Sequence, residues 1–224
     1  MECVILAGGL GTRLRSSCPD LPKPMAPIHG TPFLEYLMGY WIKEGITHFI
    51  LSVGYLHQKI IDHFGPSFNG IPITYVIEKE LLGTGGGLLL ALSSLKDLLS
   101  PFLVLNGDTF FEVPLSPLLA FQKQTHSPCT LSLAAVPDNS RYDGVKKEES
   151  GLITSLSSKE RLINGGCYLF LAKALSPFSR KCSLEKEILP YLIQKKQCYG
   201  LPLDGTFIDI GIPKDYNKSK KLFA

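Results

Sequence analysis

Short apolar runs alternate with amphipathic stretches along the first half of the chain. Cys3–Leu6, His48–Val53, Ile73–Ile77 and Phe102–Leu105 are brief, continuous apolar runs and are predicted to be strands. Between them, Pro32–Glu44, Leu56–Phe64 and Gly85–Leu99 carry apolar residues at helical spacing. Thr31 followed by Pro32 predicts an N-cap and first turn, and Gly45 predicts the stop of that helix. Strands alternating with helices predict an α/β fold: a Rossmann-like, mixed but mainly parallel sheet flanked by helices on both faces. Such sheets bind ligands at the carboxyl ends of their strands. Gly8, Glu78 and Asp108 each follow one of those ends, so a single ligand can touch all three.

The second half changes character. Cys129–Val136, Val145–Lys146, Leu152–Leu156 and Ile163–Leu171 read as short strands with few helices between them. They are expected to extend the same sheet in partly antiparallel fashion. A helix over Ser183–Gln194 and a last one from Pro213 complete the pattern. With no internal repeat and no low-complexity linker, the 224 residues are expected to form one domain.

Composition narrows the classes of function. The chain is 45% hydrophobic with a net charge of +3, which fits a filled globular core and supplies no surface for nucleic acid. Lys218, Lys220 and Lys221 read as one solvated final helix turn. No run of 18 apolar residues occurs, so no membrane span is expected. The N-terminus lacks a basic leader segment, and a cytoplasmic protein is expected. Cys3, Cys18, Cys129, Cys167, Cys182 and Cys198 form no C-x-x-C pair and read as reduced thiols, mostly core filler, with Cys18 expected to be more exposed.

The chemistry concentrates in Leu6–Met25, "LAGGLGTRLRSSCPDLPKPM". An apolar run enters Gly8, Gly9 and Gly11, then Thr12 and Arg13, and Lys23 follows between two prolines. Bare backbone N–H groups in such a turn converge on an anion, glycine lets the backbone approach closely, and the two cations serve phosphate charge. The string is not a Walker A loop, because no Gly-Lys precedes a Ser or Thr. Nor is it the dinucleotide fingerprint, because Leu14 occupies the third glycine position. The plainer alternative is a glycine turn that only joins a strand to a loop.

This string resembles the signature of the sugar-1-phosphate nucleotidyltransferases, and the likeness continues along most of the chain. "EKELLGTGG" (Glu78–Gly86), "LNGDTFF" (Leu105–Phe111), "LINGGCYLF" (Leu162–Phe170) and "FIDIGIPKDY" (Phe207–Tyr216) follow in the family's order. Within the family the chain looks most like the bacterial guanylyltransferases that act on D-glycero-alpha-D-manno-heptose 1-phosphate. The resemblance implies residues 1–125 as a nucleotide-binding half and 126–224 as a sugar-phosphate-binding half. It implies no C-terminal β-helix repeat, for which the chain is too short.

The resemblance also implies roles for single residues. Leu6, Ala7, Gly8, Gly9, Gly11, Thr12, Arg13, Lys23, Glu78, Gly83, Thr84, Asn106 and Gly107 would contact the nucleotide. Arg13 would act on the triphosphate in the transition state, and Lys23 would bridge nucleotide and sugar phosphate. Gly144, Ser158, Lys159 and Asn164 match sugar-binding positions. Two strings depart from the family: Ser158 stands where a sugar-binding glutamate is expected, and Arg141-Tyr142-Asp143-Gly144 replaces Arg-Tyr-Gly. Both departures fall on the sugar side.

Joining two phosphates calls for charge neutralisation and alignment more than for a covalent protein intermediate. Mg2+ suits this chemistry. Asp108 is the first candidate ligand, against the plainer reading of an Asx turn. Asp209 is the second, because it sits in an apolar strand where an unpaired carboxylate is costly. Glu78 or Glu80 can accept the N1–H and N2–H of guanine, although many pyrimidine-using relatives also carry glutamates here. The resemblance implies GTP and a sugar 1-phosphate as the substrates. Mannose 1-phosphate and a UTP-dependent hexose 1-phosphate reaction stand as alternatives within the class. A nucleotide-sugar-dependent glycosyltransferase or a non-catalytic subunit stands outside it. The expected partners are the small-molecule substrates, and a homo-oligomer is compatible with the chain.

Overall fold

The computed structural model describes residues 1–14, 18–137, 141–157, 160–178 and 181–223. The order begins β1 (Glu2–Ala7), β2 (Pro27–Ile28), β3 (Thr31–Pro32), α1 (Phe33–Lys43), β4 (His48–Val53), α2 (His57–Phe64), β5 (Ser67–Phe68) and β6 (Ile71–Ile77). Next come α3 (Gly83–Ala91), β7 (Phe102–Asn106), β8 (Thr109–Phe111), α4 (Leu115–Thr125) and β9 (Cys129–Ala135). The last are β10 (Gly144–Lys147), β11 (Ile153–Ser157), β12 (Leu162–Phe170), α5 (Leu189–Gln194), β13 (Cys198–Leu203), β14 (Phe207–Asp209) and α6 (Pro213–Leu222).

One sheet runs β11-β10-β12-β7-β1-β4-β6-β5, and β9 pairs with the other edge of β12 and carries β13 beyond it. β7, β1, β4 and β6 are mutually parallel, whereas β12 runs antiparallel to β7, to β9 and to β10. The expected mixed extension of a parallel sheet is what forms. A separate antiparallel pair, β8 with β14, sets Asp209 beside Thr109.

Strand alternation divides the core into two layers. Cys3, Ile5 and Ala7 join Phe49, Leu51 and Leu105 on one face, under α1, α2, α4 and α6. Val4, Ile50 and Val104 face the other way, under Leu88 and Ala91 of α3 and Leu189 and Leu192 of α5. Fully burying each such Leu, Val or Phe stabilises by about 1.5–3 kcal/mol. These layers hold the carboxyl ends of four parallel strands in one row.

Several local expectations change. The helix expected over Gly85–Leu99 instead starts at Gly83 and leaves α geometry at Ala91, with a short 3-10 turn to Ser94. Asp97 Oδ1 accepts from the Leu99 and Ser100 N–H groups, and this local turn competes with further helix. The N-cap of α1 is Pro32, because Thr31–Pro32 pairs as a strand with Pro27–Ile28. α4 and β13 were not expected. All six cysteines are buried, including Cys18, which packs in the α1-side core. Among the described residues, no helix is long and apolar enough to cross a membrane.

Candidate active site

A cleft of about 620 Å³ opens along the row of strand ends. Leu6 and Ala7 close β1, and Gly8, Gly9, Gly11 and Arg13 follow into the same cleft. Gly8 lets the Glu78 carboxylate pack close, because a Cβ there would collide with it and push it aside. The Gly107 N–H donates to the Leu6 carbonyl at 3.0 Å and docks the end of β7 against β1. Arg13 lies on a 3-10 turn, Thr12–Leu14, exposed at the cleft.

Glu78 continues the edge from β6, its N–H donating to the Val53 carbonyl at 2.8 Å. Its carboxylate accepts from the Ser52 hydroxyl at 3.1 Å and from the Leu82 N–H at 3.2 Å. Burial pushes its pKa up, and those two donors only partly offset the shift. Glu80 does not line the cleft, so the structure separates the two glutamates.

Asp108 follows β7 and forms an ion pair with Lys23, which rides on a short turn after Pro22. The Thr109 hydroxyl donates to Asp108 Oδ1 at 3.2 Å, and the Asp108 carbonyl accepts from the Ile210 N–H at 3.0 Å. That last bond ties the Asp108 turn to the strand carrying Asp209. Burial raises the Asp209 pKa most, and the nearby negative charge of Asp108 raises it further. The sequence left Asp209 without a protein partner, but the structure gives it two. Its Oδ1 accepts from the Gly211 N–H at 2.6 Å, and Arg141 Nη2 donates to Oδ2 at 3.3 Å. Arg141 also pairs with Asp215 of α6.

Two adjacent carboxylates, each matched by a single cation, form a donor set suited to a hard divalent ion. Mg2+ is commonly held by one or two carboxylates, with substrate phosphates completing the shell. Among the described residues, no cluster of three or more His, Cys, Asp or Glu side chains offers a self-contained metal site. The pair fits an ion that shares its shell with a nucleotide.

Asn164 reaches the cleft through a bulge. The register between β9 and β12 shifts between Asn164 and Tyr168, and Gly166 adopts φ of +75°, a conformation that favours glycine. Asn164 Oδ1 accepts from the Gly166 N–H at 3.0 Å, and Nδ2 donates to the Tyr168 hydroxyl at 2.7 Å. The string Asn164-Gly165-Gly166 thus re-aims one amide into the site.

Of the residues singled out from sequence, Lys23, Glu78, Gly83, Thr84, Asn106, Gly107, Asp108, Asn164 and Asp209 also line the cleft. Thr12 is exposed and outside the lining, and Gly144 is buried behind Tyr142 and Asp143, which do line it. Ser158 and Lys159 lie outside the described residues. Sequence reasoning gave no role to Arg141, Tyr142, Asp143, Glu185 or Phe207, all of which face the cleft. Arg141-Tyr142 carried a signal in its altered motif, whereas nothing in the sequence set Glu185 apart from the rest of its helix.

The chain is 43% identical over 222 residues to the D-glycero-alpha-D-manno-heptose 1-phosphate guanylyltransferase of Campylobacter jejuni, covering 96% of this chain and 97% of that protein. The enzyme of the same name from Aneurinibacillus thermoaerophilus is 41% identical over 227 residues, covering 99% of this chain and 97% of that protein. Among solved structures, HddC from Yersinia pseudotuberculosis superposes with a TM-score of 0.88 at 35% identity, covering 100% of this chain and 99% of that one. The family described as Nucleotidyl transferase matches residues 2–223. With that match spanning both the glycine loop and the two carboxylates, the chain belongs to the nucleotidyl transferase family.

Proposed function

We propose that the protein transfers a guanylyl group from GTP to D-glycero-alpha-D-manno-heptose 1-phosphate and releases pyrophosphate. It acts in the cytoplasm on small molecules and uses Mg2+. The observation that carries the chemistry is the convergence of Arg13, Lys23, Asp108 and Asp209 on one cleft at the strand ends. The choice of substrates is supported by the likeness to the Campylobacter and Aneurinibacillus enzymes over nearly the whole chain.

In this reading a phosphate oxygen of the sugar 1-phosphate attacks the α phosphorus of GTP. A new P–O bond forms, the bond between the α phosphorus and the bridging oxygen breaks, and pyrophosphate leaves with that oxygen. The glycine loop, Gly8–Gly11, brings backbone close to the triphosphate. Arg13, at the exposed rim, meets the charge that develops on the leaving phosphates. Lys23, held by Asp108, stands between the nucleotide and sugar sides and serves both phosphates. Asp108 and Asp209 would hold Mg2+, which when bound supplies positive charge to the α phosphate. Glu78 accepts from guanine N1–H and N2–H, with Gly83 and Thr84 beside the base. Asn164, Tyr142 and Asp143 face the sugar, with Gly144 buried behind them. Residues 1–125 thus serve mainly the nucleotide and 126–224 mainly the sugar phosphate.

A pyrophosphate-release assay across four nucleoside triphosphates and a panel of sugar 1-phosphates tests the proposal. GTP with the manno-configured heptose 1-phosphate should give the highest kcat/KM. Highest activity with UTP and a hexose 1-phosphate would overturn the base assignment. A preference for mannose 1-phosphate would overturn the sugar assignment alone.

A further inference from the structure

One buried phenol touches both halves of the cleft. Tyr168 lies in β12, fully buried, with Val104 of β7 beside it on one side and Leu131 of β9 on the other. Its ring packs against Phe170, centroids 6.2 Å apart, in the core layer under α3 and α5. A phenylalanine would fill the same space. The hydroxyl is thus an added polar group in an apolar layer, and such a group is costly to bury unless it is hydrogen-bonded.

Its bonds run to the cleft. Asn164 Nδ2 donates to the hydroxyl at 2.7 Å, and Asn106 Nδ2 stands 3.5 Å from it, at the limit of hydrogen bonding. Both amides line the cleft, one from the end of β7 and one from β12, whereas Tyr168 itself lies behind them. Asn106 Oδ1 is buried with no partner among the described residues. A half-turn of that amide would set its oxygen against the Tyr168 proton and satisfy both. Asn164 is held at two points: Oδ1 accepts from the Gly166 N–H at 3.0 Å, and one Nδ2 hydrogen goes to the phenol. A primary amide has two donor hydrogens, so the second is left for the cleft.

We propose that Tyr168 is a positioning residue for the transferred sugar, fixing Asn164 so that its remaining N–H points at the substrate. This rests on the reading of Asn164 as a sugar contact. Without the phenol, the bond from the Gly166 N–H alone would hold the amide, which could then swing about its oxygen. A side chain already locked by a second bond loses little rotamer freedom when substrate arrives, and that preorganisation strengthens binding. The hydroxyl is therefore retained in an apolar layer for the sake of the amides in front of it.

Tyr168→Phe tests the proposal, because it removes the hydroxyl and keeps the ring. Asn164 is half-buried at the cleft, so its freed N–H can turn to water, and the melting temperature should fall by only about 2–4 °C. The KM for the sugar 1-phosphate should rise about 3- to 10-fold, the range of one neutral hydrogen bond. The KM for GTP should hold, because Asn106 stands only at the limit of contact. A double-mutant cycle with Asn164→Ala separates positioning from packing. Once the amide is gone, losing the hydroxyl should cost less than about twofold in kcat/KM for the sugar 1-phosphate. The same loss in both backgrounds would show a general packing effect and overturn the proposal, as would a KM rise confined to GTP. A measurement on the wild type stands apart from any variant: ¹⁵N relaxation should report a rigid Asn164 side-chain amide without ligand, and an order parameter below about 0.6 would overturn the proposal. A wild type that uses no sugar 1-phosphate would overturn it together with the reading of the cleft, and unchanged sugar kinetics in Asn164→Ala would overturn it through the sugar contact. An active wild type, a sensitive Asn164→Ala and an unaltered Tyr168→Phe would overturn this assignment alone.

Discussion

Gly8→Ala should disable the reading of guanine without removing any group that touches it. The added Cβ would stand 2.1 Å from Glu78 Oε1 and 2.9 Å from its Cδ, and below 3.0 Å something must move. The carboxylate is the part able to move, and reaching ordinary contact at 3.4 Å takes a retreat of about 1.3 Å. That retreat strains its bonds to the Ser52 hydroxyl and the Leu82 N–H, now 3.1 and 3.2 Å. Misplacing a positioned group by about 1 Å costs on the order of 10²-fold, or about 2.7 kcal/mol in kcat/KM. The overpacking should also destabilise the fold by about 1–3 kcal/mol. The assay is a double-mutant cycle with Glu78→Ala, read as kcat/KM for GTP and as thermal unfolding. In the Glu78→Ala background, where the clashing oxygens are gone, Gly8→Ala should cost less than about threefold, giving a coupling of about 2 kcal/mol. A full hundredfold loss in both backgrounds would show that the methyl acts on the phosphate loop instead, and would refute the reasoning.

Other outcomes follow from the same geometry. Asp108→Asn and Asp209→Asn should each lower turnover by about 10²–10³-fold while the melting temperature holds, and either variant near wild-type activity at limiting Mg2+ would remove that residue as a ligand. Lys23→Ala should raise the KM for sugar 1-phosphate as well as lower kcat, whereas Arg13→Ala should lower kcat with GTP still bound; steady-state kinetics with each substrate varied would separate them, and equal, purely nucleotide-binding losses would contradict the division. Glu78, whose pKa burial raises above the ordinary 4.5, should lose its charge at a higher pH than an exposed glutamate. The GTP KM should therefore climb as pH falls through that raised value. The sign for stability is opposite: a raised carboxyl pKa contributes stability at low pH that is lost as pH rises through it, so Glu78→Gln should hold or raise the melting temperature at neutral pH. An unchanged pH profile in Glu78→Gln would count against Glu78 as the titrating group.

The parallel half of the fold was legible because its strands are buried on both faces and so read as unbroken apolar runs, as His48–Val53 does. α4 escaped because Pro114 and Pro117 flank its start and read as a break, although proline is tolerated in a first turn. β13 escaped because Gly200 and Pro202 argue against a strand. It pairs with β9 along one side and has an isolated bridge, Tyr199 to Leu152, on the other, near a sheet edge where proline is allowed. In the site, Asp108 and Lys23 were legible because both lie in dense local motifs. Glu185 was not, since its place depends on bonds to Thr84, about a hundred residues earlier in the chain. The partner of Asp209 was hidden for the same reason: Arg141 reaches it from a different strand connection.

The fate of each phosphate tests the central claim most directly. GTP carrying ³²P at the α position, incubated with Mg2+ and the heptose 1-phosphate, should pass its label into the nucleotide-sugar. GTP labelled at the γ position should pass its label only into pyrophosphate. Label from the γ position appearing in the sugar product, or α label remaining in unreacted nucleotide while the sugar phosphate is consumed, would contradict attack of the sugar phosphate on the α phosphorus.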